Sequence, residues 1–185
     1  DTEWAKADYE VATEQFKLSS SEKPIFVPEK GNINLNETAD ALVVKGERFK
    51  AVFSKKEGTL SAYTLNNVPL MSKGLELNLF RAPTDNDKQV SGDWQRKGLY
   101  QLQTETGKWE TRQEEDRITL HIRNCHKGKL GFEYRTEMEY TVNADGSIMV
   151  NSVIMPVSDG EIIPRVGYRM ELPEGFERMR WYGRG

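Results

Sequence analysis

The sequence predicts an all-β chain folded as an antiparallel sandwich. Three observations carry this: apolar residues recur with a period of two through most of the chain, a helical period is nearly absent, and Gly, Pro, Asn and Lys cluster at short intervals between the alternating runs. The clearest block is 117–155. Ile118, Leu120 and Ile122 face one way there, with Arg117, Thr119, His121 and Arg123 facing the other. Lys127, Gly128 and Lys129 turn the chain, and Phe132, Tyr134, Thr136, Met138, Tyr140 and Val142 then define a second apolar face. Asn143 to Gly146 turns it again before Ile148–Val150 and Val153–Met155 return. Such a meander has one dry face and one wet face.

The remaining elements follow in order. Residues 8–18 alternate imperfectly, through Tyr9, Val11 and Thr13 and then, after a slip, Phe16 and Leu18, as a bulged strand would. Ser19-Ser20-Ser21-Glu22-Lys23-Pro24 is a linker signal and places a boundary near residue 20. Leu42 and Val44 alternate with Ala41, Val43 and Lys45. Phe49, Ala51 and Phe53 lead into a hairpin turn at 55–58, from which Leu60, Ala62 and Thr64 return. One short helical turn fits residues 92–99, with Asp93 as its cap. Residues 165–172 and 176–182 read as two further strands around Pro173-Glu174-Gly175.

Composition narrows the function classes. The 185 residues are 37% hydrophobic and 30% charged, which suits thin sheets with one solvated face. Lys and Arg number 26 against 29 acidic residues, with no basic block, so nucleic acid is a poor partner. No apolar run approaches the roughly 18 residues of a membrane span, and the first 20 residues lack the pattern of a signal peptide. Cys125 is the single cysteine, which excludes an intrachain disulfide and leaves cytoplasm and periplasm equally open.

Known catalytic patterns are missing. His121 on a polar strand face and His126 in the turn after it read as surface histidines, without the spacing of a zinc site. Asp85-x-Asp87 begins like a calcium loop but continues with Gln89 and Val90 where that loop needs Asp or Asn and Gly. There is no Gly-x-Ser-x-Gly elbow, and nothing nominates a glycosidase pair among the carboxylates. The expectation is therefore no catalytic residue and no metal site within the chain.

One run stands out. Asn78-Leu79-Phe80-Arg81-Ala82-Pro83-Thr84-Asp85-Asn86-Asp87 puts an Arg and two carboxylates directly after an apolar strand. Turn chemistry accounts for Pro83 and Asn86 but not for Arg81 and both aspartates together. Either Arg81 pairs with Asp85 or Asp87 simply to hold the turn, or these groups also anchor the polar segment 88–94 as a mobile lid beside a neighbouring site. Arg81, Asp85, Asn86, Asp87 and Ser91 are the candidate loop residues. Trp94, Trp109 and Trp181 are candidate sugar-stacking rings, although buried anchors are the commoner use of tryptophan.

The run closely resembles the Arg-Ala-Pro-x-Asp-Asn-Asp segment of the β-galactosidases of glycoside hydrolase family 2. In chain order, Trp4–Ala7 with Glu10–Phe16 is similar to the last strand of the family's immunoglobulin-like domain. Phe53–Ser61 resembles its opening C-terminal hairpin, and Trp181–Gly185 the start of its Trp-x-Gly-x-Gly-Pro segment. The resemblance implies a galactose-mutarotase-like β-supersandwich, truncated at its C-terminus, over 22–185. Residues 1–18 would be the end of a preceding domain, with a linker to about 21. It also implies that the two catalytic glutamates, and the Mg2+ and Na+ of the parent enzyme, belong to an upstream barrel, with no cofactor in this piece. The partners would then be the parent's other domains and, indirectly, a β-galactoside, and exposed strand edges could self-associate. By position the family's mobile active-site flap falls on 88–93, with Gln89 where a glycine is common. The family's stacking tryptophan lies past Gly185, so Trp181 does not inherit that role. A carbohydrate-binding module and a mutarotase-like enzyme are the other readings.

Overall fold

The computed structural model describes residues 27–157 and 162–180, with residues 3, 4, 6–10, 12, 14 and 16. Among the described residues, eleven strands and one α-helix follow in order: β1 Asn34–Glu37, β2 Ala41–Lys45, β3 Phe49–Ser54, β4 Thr59–Leu65, β5 Val68–Pro69, β6 Lys73–Asn78, α1 Ser91–Lys97, β7 Gln103–Gln113, β8 Arg117–Lys127, β9 Glu133–Asn143, β10 Ile148–Pro156 and β11 Gly167–Glu171. A five-stranded sheet in the order β1-β2-β3-β4-β5 faces a four-stranded sheet in the order β10-β9-β8-β7, and β11 pairs with β6 as a ribbon at their side. Every strand pair is antiparallel. The expected antiparallel sandwich is what forms.

The main core lies where the inner faces meet. Leu42, Val44, Phe49, Ala51, Phe53 and Leu60 from one sheet pack against Ile118, Leu120, Ile122, Met138, Tyr140 and Val142 from the other. These are the residues whose alternation defined the strands, so register and burial share one cause. Phe53 meets Tyr140 edge-on at 5.1 Å between ring centroids. The Tyr140 hydroxyl lies 3.0 Å from Thr59 Oγ1 inside this core, and burial pushes its pKa up to about 12. Gly74 lets β6 run against β4, because a Cβ there would come within 2.3 Å of the Leu60 carbonyl oxygen.

Several expectations need correction. A bulge shifts the register of β4 against β3 between Val52 and Phe53, so beyond it Tyr63 and Leu65 pack on the core in place of Ala62 and Thr64. Strand β7 is absent from the sequence expectation, because its charged and glycine-containing sequence lacks an apolar alternation. Residues 176–180 form no strand, while 181 and 182 lie outside the described residues. Of the strand expected over 8–18, residues 8–10, 12, 14 and 16 are in no strand, and the others lie outside the described residues, as do the linker at 19–24 and Trp181.

Candidate functional site

Asn78, Leu79 and Arg81 set the geometry where β6 ends. Asn78 Oδ1 accepts the Phe80 amide at 3.1 Å and starts the turn, while Leu79 is fully buried in a second core with Trp94, Leu99, Phe132 and Tyr134. With Leu79 sunk, Arg81 is carried back over the following residues. Its Nη1 donates to Asp87 Oδ2 at 2.6 Å and its Nη2 to Asp87 Oδ1 at 3.1 Å. Asp87 also accepts from the Thr84 amide at 2.7 Å and the Thr84 hydroxyl at 2.8 Å, and its own amide donates to the Thr84 carbonyl at 3.0 Å. One carboxylate thus closes a single 3-10 turn, Asp85–Asp87, from both sides.

Electrostatics follow the geometry. The Arg81 guanidinium, with the Thr84 amide, holds the Asp87 carboxyl well below the usual carboxylate range, and the same pairing raises Arg81. The Arg81 side chain also sits 5.8 Å from the Trp94 ring centroid, a cation–π distance. Arg81 pairs with Asp87, and Asp85 points outward, its side chain 93% exposed and joined only to Lys88 at 3.1 Å among the described ion pairs. Asn86 is exposed, and Ser91 is half-buried at the start of α1.

The segment expected as an irregular loop over 88–94 is a turn running into helix. Val90 precedes α1 and Gly98 ends it at φ +70°, the left-handed position that suits glycine. Asp93 is not the cap: it lies inside the first turn and pairs with Lys97 at 2.9 Å and Arg96 at 2.8 Å. Trp94 is not a stacking platform, being 2% exposed with its indole N–H donated to the Ile162 carbonyl at 2.9 Å. Trp109 packs against the main core. The segment is thus pinned at Asp87 and at Trp94, and between them Lys88, Gln89 and Gly92 are exposed. Gln89 is not among the residues at positive φ, so its replacement of glycine brings no strain here.

The histidines divide. His121 is half-exposed, 3.4 Å from Glu139. His126 is not in a turn: it belongs to β8 and is buried, with Nδ1 at 3.0 Å from Thr104 Oγ1 and Nε2 at 2.9 Å from Thr136 Oγ1. Burial lowers its pKa to about 4, so the ring is neutral at pH 7. The sequence carried a signal for this, since His126 shares the phase of Ile118, Leu120 and Ile122. Among the described residues no cluster of His, Cys, Asp and Glu could hold a metal ion.

Residues 45–185 match the family model described as beta galactosidase small chain. The chain is 28% identical to a beta-galactosidase of Priestia megaterium over its whole length, covering 18% of that protein. It is 24% identical to one from Actinobacillus pleuropneumoniae and 25% identical to one from Psychromonas ingrahamii, with all of this chain aligned to 19% and 20% of theirs. The chain therefore spans about a fifth of the length of the relatives it matches. With a match over 45–185 and the antiparallel sandwich in hand, the chain belongs to the beta-galactosidase small chain family.

Proposed function

We propose that these 185 residues are a non-catalytic part of a β-galactosidase, supporting the domain that performs hydrolysis and presenting the segment 88–94 to its active site. The observation that carries this reading is the Arg81–Asp87 clip. It joins the two side chains to each other, with Asp87 also held by Thr84 and Arg81 by the Ala82 carbonyl, and it leaves Lys88, Gln89 and Gly92 exposed between two buried anchors. Groups so committed position a neighbour; they do not attack a substrate.

The surroundings of seven carboxylates are in keeping with the same reading. A retaining glycosidase needs one carboxyl raised to act as acid beside an ionised partner. Glu76, Asp87, Asp93, Glu110, Glu114, Asp145 and Glu177 are all displaced downward. In this proposal residues 1–18 end a preceding domain, a linker runs to about 21, and 22–185 form the sandwich. The acid, the nucleophile and any Mg2+ or Na+ come from elsewhere in the parent. The other domains of the parent are the main partner, and the uncharged edge strand β10 is a second, self-associating surface.

Kinetics of the assembled parent test the proposal. Asp87→Asn is expected to lower kcat/KM for a nitrophenyl β-galactoside by about tenfold, and Asp85→Asn to leave it within about twofold. Equal effects of the two substitutions would refute it. The reading as a module that binds sugar through exposed tryptophans is weaker, because Trp94 is buried and Trp109 packs on the core.

A further inference from the structure

Two turns meet at the C-terminal end of α1, and each leaves one apolar side chain in solvent. Residues 98–101 form the first, closed by the Gln101 amide on the Gly98 carbonyl at 3.0 Å. Residues 129–132, at the tip of the β8–β9 hairpin, form the second, closed by the Phe132 amide on the Lys129 carbonyl at 3.1 Å. The Lys129 amide also donates to the Lys97 carbonyl at 2.6 Å, which joins the hairpin tip to the last turn of α1. The fit is close, since a Cβ at Gly128 would come within 2.3 Å of that same carbonyl oxygen. Leu99 and Phe132 sink into the second core with Trp94, so both turns are fixed relative to the 88–94 segment. Their neighbours Tyr100 and Leu130 stay 51% and 77% exposed.

Leu130 is a poor choice for its turn if the stability of this chain is all that matters. Its φ is +55° and that of Gly131 is +78°, the pair of positive values found in hairpin turns that favour Asn-Gly. Left-handed backbone is costly for a residue with a Cβ, and an exposed Leu offsets none of that cost by burial. Met149 and Val153 are also exposed, but they lie in the extended backbone of β10, where exposure carries no such conformational cost. A local rule broken without a local gain points to a use elsewhere. A contact with another surface would bury the Leu130 side chain and supply the missing gain.

The charges around the two turns narrow the partner. Over 81–100 and 129–131, the five cations Arg81, Lys88, Arg96, Lys97 and Lys129 stand against the three carboxylates Asp85, Asp87 and Asp93, a surplus of two in a chain of net −3. A tyrosine ring and an apolar anchor amid such a surplus have the composition of an interface core with a basic rim. The chain spans about a fifth of the length of its relatives, so most of a parent of that size lies outside it. We propose that Tyr100 and Leu130 dock into an apolar pocket with an acidic border on another domain of the parent. The inference rests on the reading of the chain as part of a larger enzyme, and names the surface that holds it there.

The test is hydroxyl-radical footprinting read by mass spectrometry, on the 185-residue chain and on the complete parent enzyme. Tyr100 and Leu130 should be oxidised in the chain alone and at least about fivefold more slowly in the parent, because an interface core excludes water. Leu130→Asn should raise the melting temperature of the chain by about 2–4 °C, by relieving the turn. In the parent the same change should lower the temperature at which activity is lost, while Leu130→Met, which keeps the apolar anchor, should not. Equal oxidation in the two forms, a parent stabilised by Leu130→Asn, or a chain that gains nothing from it would overturn the proposal. So would protection that appears in the chain alone as its concentration rises, which would seat a second copy there instead. Asp87→Asn touches neither turn, so its kinetics separate this inference from the reading beneath it. A parent that responds to Asp87→Asn but leaves Leu130 unprotected loses only the docking surface.

Discussion

Arg81 and Asp87 are joined by two hydrogen bonds, 2.6 Å and 3.1 Å long, that bend the chain back on itself across Ala82, Pro83 and Thr84. The pair sits at the exact handover between the buried end of β6 and the exposed residues leading to α1. Its consequence is local order at a place where neither sheet nor helix supplies it.

Breaking that pair should release the segment without unfolding the sandwich. Asp87→Asn keeps the shape but removes the charge that Arg81 and the Thr84 amide both address. Amide exchange at Thr84, Asp87 and Val90 should accelerate at least several-fold, while amides of β8 and β9 stay protected. Asp85→Asn should change neither, since its exposed pair with Lys88 contributes little. Hydrogen exchange read by NMR distinguishes the two. Asp87 titrates below an ordinary carboxylate, so its pairing is complete above about pH 4 and fades only as the pH falls toward the lower folded value.

His126 predicts a pH dependence of the opposite origin. Its folded pKa, about 4, lies below the unfolded value of about 6.5, so between the two the unfolded chain binds the extra proton. Stability is therefore full above about pH 6.5 and declines as the pH falls toward 4, by on the order of 2–3 kcal/mol from this group. Urea unfolding at pH 7, 5.5 and 4.5 should show the decline, and His126→Gln should flatten it over the same range.

The core makes a sharper mutational prediction. Phe53→Ala removes a fully buried ring packed on Tyr140 and should destabilise the chain by about 3–5 kcal/mol. Tyr140→Phe should cost less, about 1–2 kcal/mol, by leaving the buried Thr59 hydroxyl without its partner. Denaturant midpoints at constant slope would check both.

Strand β10 predicts association. Its nine residues, Ile148 to Pro156, carry no charge, and it is an edge of its sheet, whereas the opposite edge, β7, carries charged side chains and a bulge. Sedimentation should show concentration-dependent growth in mass. Val153→Lys, at a residue already 56% exposed, should suppress it with little change in melting temperature.

Much of this fold was legible because each apolar stripe had one destination. Ile118, Leu120, Ile122, Met138, Tyr140 and Val142 could only face the main core, and Phe132 and Tyr134 continue the stripe into the second, so alternation and burial coincide. Three features escaped for physical reasons. The bulge in β4 reverses the faces of Ala62 and Tyr63, and a one-residue insertion leaves no compositional trace. Strand β7 is built for solvent and so lacks the apolar signal that marks a strand. His126 reads as a surface residue because histidine is usually solvated, although its position in the alternation points inward. At the candidate site the pairing of Arg81 with an aspartate was readable, but the choice of Asp87 over Asp85 depended on the 3-10 turn. Burial of Trp94 depended on Ile162, 68 residues away.

The central claim is that these residues serve chemistry done elsewhere in a larger enzyme. The most direct measurement is turnover of nitrophenyl β-D-galactopyranoside by the purified 185-residue chain, freed of host β-galactosidase. The account predicts a rate indistinguishable from the uncatalysed reaction at every pH and substrate concentration. Saturable hydrolysis that co-purifies with the chain and disappears on substituting one of its own carboxylates would contradict it.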